Sequence, residues 1–413
     1  MKAVVQVFTL DVLARVVLGA TVVLLIRFMA PDQYAAYTLA FSAATMLGQM
    51  MSGGFNRTFI VGYDRLGLDR APSAFLILQI GLLAGLGGVM YLFAPHLHGL
   101  YGVALLLVVA QCLVEYVRTS FQQGMRFFRF SSVEILRAAI LLGGVGLLIV
   151  TGTSISAYDA LVVHTVALLL VFMVVFARRL EWRELRQVGL ALRWMAAIVT
   201  GPYRYLFGYT ILVAVMTQAD FFLLRWLAGP EAVATYGSAF RYYTVLSMAL
   251  GAVHTVFLPL IRSMQTEHEL RSLLARHRRL VLAFIPVVLG GAVAARWVIP
   301  MIDLGKYPEA VSVFQILAIS SVVSLAFAPH VNILLRFEDF PFLFGLTGVS
   351  LLVDVICNLI FVPHFGASGS ALSSLTAFAI ANTAVYLRSR SRLRSNAGEF
   401  AFASALPGVP NLG

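Results

Sequence analysis

The chain has 413 residues, 60% of them hydrophobic and only 12% charged, with a mean hydropathy of +0.89. Soluble domains carry about 25% charged residues, so this composition excludes a soluble protein and points to an integral membrane one. The net charge of +11 does not indicate nucleic acid, because the Arg residues gather between apolar runs, where membrane orientation places them.

The apolar runs are about 20 residues or longer, which crosses a roughly 30 Å hydrocarbon core as helix; barrel strands would be short and alternating. The first run, at about 5–29, holds Asp11 and Arg15 one turn apart and is too long for a cleavable signal. A turn at Pro31-Asp32 leads to a second span at about 34–54, then to a basic loop with Arg57, Arg65 and Arg70. The third, about 73–93, has Gly81 and Gly85 one turn apart, a spacing that favours close helix packing. His96 and His98 precede a fourth span at about 100–117, and Arg118, Arg126 and Arg129 follow it. Spans at about 133–150 and 158–176 are joined by uncharged Thr-Gly-Thr-Ser-Ile-Ser.

Between the halves, Leu185, Val188, Leu192 and Met195 recur at helical spacing while Arg179, Arg183, Arg186 and Arg193 lie off that stripe. Such a helix is expected on the membrane surface, its Arg residues toward lipid headgroups. Spans at about 205–228 and 233–260 come next, the latter holding Pro259, which should kink or end it. A basic loop (Arg262, Arg271, Arg276, Arg278, Arg279) leads to spans at about 280–302, 310–335, 340–362 and 367–387, the last two joined by Pro-His-Phe-Gly-Ala-Ser-Gly. A tail with Arg388, Arg390, Arg392 and Arg394 ends the sequence.

Placing the basic loops in the cytoplasm leaves little positive charge opposite beyond Arg27, Arg225, Arg296 and Lys306. The expectation is an all-α polytopic protein of about twelve transmembrane helices in two six-helix lobes, both termini cytoplasmic. The expected division is 1–177 for the first lobe, 178–204 for an amphipathic linker, 205–387 for the second lobe and 388–413 for a basic tail. A repeat supports the doubling: Arg27, Pro31, Asp32 and Tyr37 are answered by Arg225, Pro230, Glu231 and Tyr236, with Gly229 inserted.

Ionisable groups deep in a bilayer cost about 2.5 to 3.5 kcal/mol each and are functional candidates by default. Four stand away from span ends: Arg15, Asp220, Arg241 and Asp354. Asp11 can neutralise Arg15. Asp220 and Arg241 lie at similar distances from the Gly229-Pro230 turn and are expected to pair; otherwise Arg241, beside Tyr242 and Tyr243, faces a lumen and holds an anionic group such as phosphate. Asp354, with Asn358 one turn on, is either a proton or cation site or a helix contact. Arg27, Arg225, Arg137 and Glu134 are read as span-end residues that snorkel, and His164, His254 and His330 as packing residues. Cys112 and Cys357 lie in apolar runs without a CxxC partner, which suits packing better than a disulfide or metal. Gly305-Lys306 is followed by Tyr, so it is no P-loop; neither HExxH nor GxSxG occurs, and neither enzymatic activity nor a cofactor is expected.

Three passages carry a family resemblance: Ala-Pro-Asp-Gln-Tyr-Ala-Ala-Tyr-Thr-Leu-Ala-Phe from Ala30; Gly-Pro-Glu-Ala-Val-Ala-Thr-Tyr-Gly-Ser-Ala-Phe-Arg from Gly229, with Phe-Leu-Pro-Leu-Ile-Arg from Phe257; and Asn-Leu-Ile-Phe-Val-Pro-His-Phe-Gly-Ala-Ser-Gly-Ser-Ala from Asn358. The chain resembles the polysaccharide transporter (O-antigen flippase-like) family of the multidrug/oligosaccharidyl-lipid/polysaccharide exporter superfamily. That resemblance implies a MATE-like V of two lobes around a cationic lumen in the bacterial inner membrane. It implies a flippase that moves an undecaprenyl-pyrophosphate-linked oligosaccharide outward by alternating access, among membrane lipids and alongside polymerase and chain-length machinery. Arg15 and Arg241 would receive the pyrophosphate, with Tyr242 and Tyr243 near the sugars. The sequence departs from better-populated lumens in having few mid-depth cations and almost no Lys. The alternatives are an ion-coupled drug exporter, with Asp220 or Asp354 as the proton or sodium site, and a non-transporting scaffold for a polysaccharide synthase.

Overall fold

The computed structural model describes residues 2–56, 72–93, 99–123, 126–152, 154–176, 188–201, 203–264 and 266–395. Most of the basic loop after the second span, His96 and His98, the start of the linker and the end of the tail lie outside the described residues, as do the side chains of Asp11, His254 and Pro259.

Helices α1 (Lys2–Phe28), α2 (Pro31–Gly48), α3 (Pro72–Phe93), α4 (Tyr101–Gln123), α5 (Phe127–Val150) and α6 (Ala157–Phe176) form one bundle, in which α1 packs on α5 and α4 on α6. A short helix, α7 (Val188–Thr200), follows. The second bundle holds α8 (Arg204–Met216), α9 (Ala219–Leu227), α10 (Pro230–Ser263), α11 (Glu267–Asp303), α12 (Ala310–Arg336) and α13 (Phe340–Ser395). Helix α12 is its centre, packed on α10, α11 and α13. With α8 and α9 counted as one segment and the arms of α13 as two, six segments precede α7 and six follow it. Seven helical stretches among the described residues are long and apolar enough to cross a membrane, and the 56-residue α13 is one of them.

The repeat in the sequence is a repeat in structure. Pro31 and Pro230 each sit in the first turn of a helix, where the missing N–H costs nothing, followed by Asp32 or Glu231 at the positive end of the helix dipole. Tyr37 and Tyr236 are both fully buried one to two turns further on.

Several expected boundaries differ. The seventh segment breaks at Thr217 and Gln218 between α8 and α9. Helix α2 runs into a π-helical turn, Gln49–Gly53, and Thr217 Oγ1 donates to Gln49 Oε1 at 3.3 Å, so the two irregularities face each other. Helix α10 continues past Pro259 to Ser263, so that proline does not end it. The seven-residue turn expected before the last segment is one residue deep: Gly366 (φ 52, ψ −131) alone breaks the helical path of α13, because this conformation is open to a residue without a Cβ. Gly81 and Gly85 meet no neighbour within 4 Å, so they do not form the expected close contact; α3 meets α4 at Gly87, whose carbonyl accepts from the Tyr101 hydroxyl. In α7, Trp194 and Ile198 are buried, whereas Leu192 of the expected apolar stripe is 60% exposed, a face free to meet lipid.

The bundles meet along α2. Gly237 of α10 lies so close to Thr38 that a Cβ there would come within 2.7 Å of its methyl. At the other end, Phe55 meets Phe207 of α8 edge-on at 4.9 Å.

Candidate functional site

Between the bundles lies a cavity of about 460 Å³, lined from α1, α2, α4, α5 and α6 on one side and α10 and α11 on the other. Three cations line it: Arg15, Arg137 and Arg241. Each comes from a different helix, so the cluster is invisible as a local motif. Glu134 is the counter-charge, 2.6 Å from Arg137 and 3.9 Å from Arg118, and Arg118 is tied to Glu115 at 2.6 Å. One carboxylate against three cavity arginines leaves the wall positive. Such a wall suits an anionic group in a space sheltered from water, where Arg can offer two parallel donors.

Arg241 lies over the ring of Phe41 at 4.9 Å, a cation–π contact across the bundle interface. Its Nε has no hydrogen-bond partner among the described residues. Beside it, Tyr37 is hydrogen-bonded to His164 at 2.9 Å, and both rings pack near Phe41. The expectation that Arg137 and Glu134 merely snorkel fails, since both line the cavity and Glu134 is only 14% exposed. His164 lines it too, rather than serving as packing alone. The signal for Glu134 and Arg137 was their i, i+3 spacing on a helix that starts beside a basic loop, which reads equally well as a membrane boundary.

The expected pair between Asp220 and Arg241 does not form. Asp220 belongs to a second, smaller cavity of about 370 Å³ inside the second bundle. Its carboxylate accepts from the Tyr236 hydroxyl at 2.6 Å, from Ser374 Oγ at 2.5 Å and from Asn358 Nδ2 at 3.1 Å. The two side chains line different cavities, Arg241 the interbundle one and Asp220 the one inside the second bundle. The second carboxylate, Asp354, is 2% exposed, and neither of its oxygens has a hydrogen-bond partner among the described residues. Asn358 links the two, donating also to the Asp354 carbonyl at 3.0 Å. The repeat thus recurs in chemistry: Tyr37 serves a polar group of the first bundle, Tyr236 one of the second.

Helix α10 divides its side chains between these spaces. Arg241 and Tyr242 line the interbundle cavity, whereas Tyr243 and Phe240 line the inner one. Of the two tyrosines expected near a ligand, only Tyr242 shares a cavity with the arginines. Among the described residues no group of three or more His, Cys, Asp or Glu side chains could hold a metal ion.

The family described as polysaccharide biosynthesis protein matches residues 24–307. No curated protein matches the chain by sequence. Among solved structures, the lipid II flippase MurJ in an inward closed conformation is similar at a TM-score of 0.74, with 13% identity over 98% of this chain and 94% of that one. A Vibrio cholerae MATE transporter, VcmN, is similar at 0.63, with 15% identity over 95% of this chain and 98% of that one. A transporter of the MOP superfamily from Pyrococcus furiosus is similar at 0.63, with 16% identity over 95% and 96%.

Proposed function

Since the chain belongs to the polysaccharide biosynthesis protein family and has the fold of the MurJ and MATE transporters, we propose that it is a flippase for a lipid-linked oligosaccharide. The cargo is an undecaprenyl-pyrophosphate-linked repeat unit, moved across the bacterial inner membrane for O-antigen, capsule or exopolysaccharide assembly. The observation that carries this reading is the interbundle cavity walled by Arg15, Arg137 and Arg241. A pyrophosphate fits such a wall, while the lipid tail remains in the bilayer and the sugars occupy the cavity near Tyr242. Both termini lie in the cytoplasm, with the linker before α8 and the arginine-rich end of α13 on that membrane face.

The first test is genetic. Arg241→Ala should leave the protein in the membrane and abolish surface polysaccharide; normal polymer from that variant would remove Arg241 from the site. Drug resistance conferred on a susceptible host, with polysaccharide unaltered, would favour the exporter reading instead.

One observation favours ion coupling within the same function: Asp354, buried with both carboxylate oxygens open, beside Asp220 and Asn358. Such a pair takes up a proton or a small cation readily. Asp354→Asn should uncouple transport from the ion gradient, and an unchanged gradient dependence would reduce the cluster to a helix contact.

A further inference from the structure

The interbundle cavity carries its own counter-anion. Glu134 is the first α5 side chain to line it, Arg137 follows one turn on, and the two pair at 2.6 Å. The other oxygen of Glu134 lies 3.9 Å from Arg118 of α4, which stands behind the cavity wall and is not among its lining residues. Glu115, at 2.6 Å, and the ring of Phe130, its centroid 4.4 Å from the guanidinium, hold Arg118 there. Charges therefore alternate along a row, Glu115, Arg118, Glu134 and Arg137, that sums to zero and ends in the cavity.

This row decides what happens when an anion enters. Arg137 already has Glu134 on it, so an incoming phosphate must displace a carboxylate that is only 14% exposed. Leaving that carboxylate without a cation would be strongly unfavourable. Arg118 meets the need: Glu134 lies between two guanidiniums, and a shift of about 1 Å toward Arg118 brings the 3.9 Å contact to charge-assisted hydrogen-bond distance. The reverse shift returns Glu134 to Arg137 and expels the anion. Three arginines without such a competitor would hold a multiply charged group tightly and release it slowly, which stalls a carrier.

We propose that Glu134 is a positioning residue that pairs with Arg137 before cargo enters and with Arg118 once cargo is bound, and so weakens the hold on the cargo anion and speeds its release. Naming that anion as a pyrophosphate rests on the flippase reading; the exchange itself concerns any multiply charged anion among these arginines. A brace that merely joined α4 to α5 gives a different expectation, since loss of either partner would loosen the wall and weaken binding. Under the exchange the two losses have opposite signs. Loss of Glu134 strengthens binding, and loss of Arg118 weakens it, because Arg118 acts only by receiving Glu134.

The test uses the full chain in detergent micelles with radiolabelled undecaprenyl pyrophosphate, and reads affinity and dissociation rate. Glu134→Gln should bind about tenfold more tightly and release about tenfold more slowly, the scale expected for one coupled charge pair. Arg118→Gln should bind about tenfold more weakly. The double variant separates exchange from a plain sum of charges: it removes one charge of each sign, yet should bind as tightly as Glu134→Gln alone. It also serves if Glu134→Gln does not accumulate, since neither of the two charges is left behind without the other. Unchanged or weaker binding by Glu134→Gln overturns the proposal, as does a double variant that binds like the unaltered chain. Inorganic pyrophosphate is run in parallel: the same pattern for it, without binding of the lipid, would support the exchange and refute the flippase reading. Binding of neither probe by the unaltered chain overturns the exchange. The expected pattern in a chain that moves no linked oligosaccharide across proteoliposomes would refute the flippase reading alone.

Discussion

Arg241 occupies its place because two residues that follow one another on α10 face different spaces: Tyr242 shares its cavity, Tyr243 does not. Its guanidinium lies over Phe41, and its Nε has no hydrogen-bond partner among the described residues. Arg241→Lys is therefore expected to fail nearly as badly as Arg241→Ala, because a lysine cannot supply the planar fork that grips two phosphate oxygens. Polysaccharide output measured for both variants at equal membrane abundance checks this; full output from the lysine variant would mean that charge alone suffices. Arg15 and Arg241 were legible in the sequence as rare mid-span charges. Arg137 was not, since a charge beside a basic loop reads as a boundary residue whether it points to water, lipid or a lumen. The rotation of a helix about its axis decides that, as the different cavities of Asp220 and Arg241 show.

Among the elements, α13 carries the clearest conformational demand. Gly366 combines φ 52 with ψ −131, and no atom lies within 4 Å of where a Cβ would stand. The cost of Gly366→Ala is then backbone strain alone, about 1 to 3 kcal/mol. Thermal unfolding in detergent should show a lower midpoint for this variant and little change for Gly345→Ala, a helical glycine that is equally uncrowded. Equal midpoints would mean the bend relaxes. Beside the start of α13, Asp339 accepts from Arg388 and Arg392, each at 2.9 Å, and so fastens the last arm to the α12–α13 turn. Burial raises the Asp339 carboxyl, but the hydrogen bonds and charges of Arg392 and Arg388 outweigh it and hold the group below its ordinary 3.8. A depressed acid stabilises the fold above its unfolded value and loses that contribution as pH falls through the folded one. The contribution of this clamp should therefore persist down to about pH 4 and disappear only below it. Because both arginines are more than a third exposed, Asp339→Asn should cost only about 1 kcal/mol, measured as a small midpoint shift at pH 7 that vanishes in strong acid. The spans themselves were readable from apolar length and the basic loops. The π-helical turn after α2 and the break at Thr217 were not: Gly48 and Gly53-Gly54 flank the first but read equally well as a helix end, and no proline or glycine marks the second.

For the whole molecule, the doubled sequence becomes two bundles that meet along α2, α8 and α10, with one cavity at their junction and another within the second bundle. The six-plus-six order and the repeat of Pro31 and Tyr37 at Pro230 and Tyr236 were available from sequence. The separation of the arginines from Asp220 into different cavities was not, as it depends on which bundle each helix face meets. On the proposed reading, anionic cargo binds among the arginines of the interbundle cavity, while Asp220 of the inner cavity, with Asp354 linked to it through Asn358, acts apart from it. The most direct measurement is transport of an undecaprenyl-pyrophosphate-linked oligosaccharide across proteoliposomes containing the purified chain. The account predicts flipping by the unaltered protein, none by Arg15→Ala or Arg241→Ala, and flipping without ion dependence by Asp354→Asn. Unimpaired flipping by both arginine variants, or none by the unaltered protein, would contradict it.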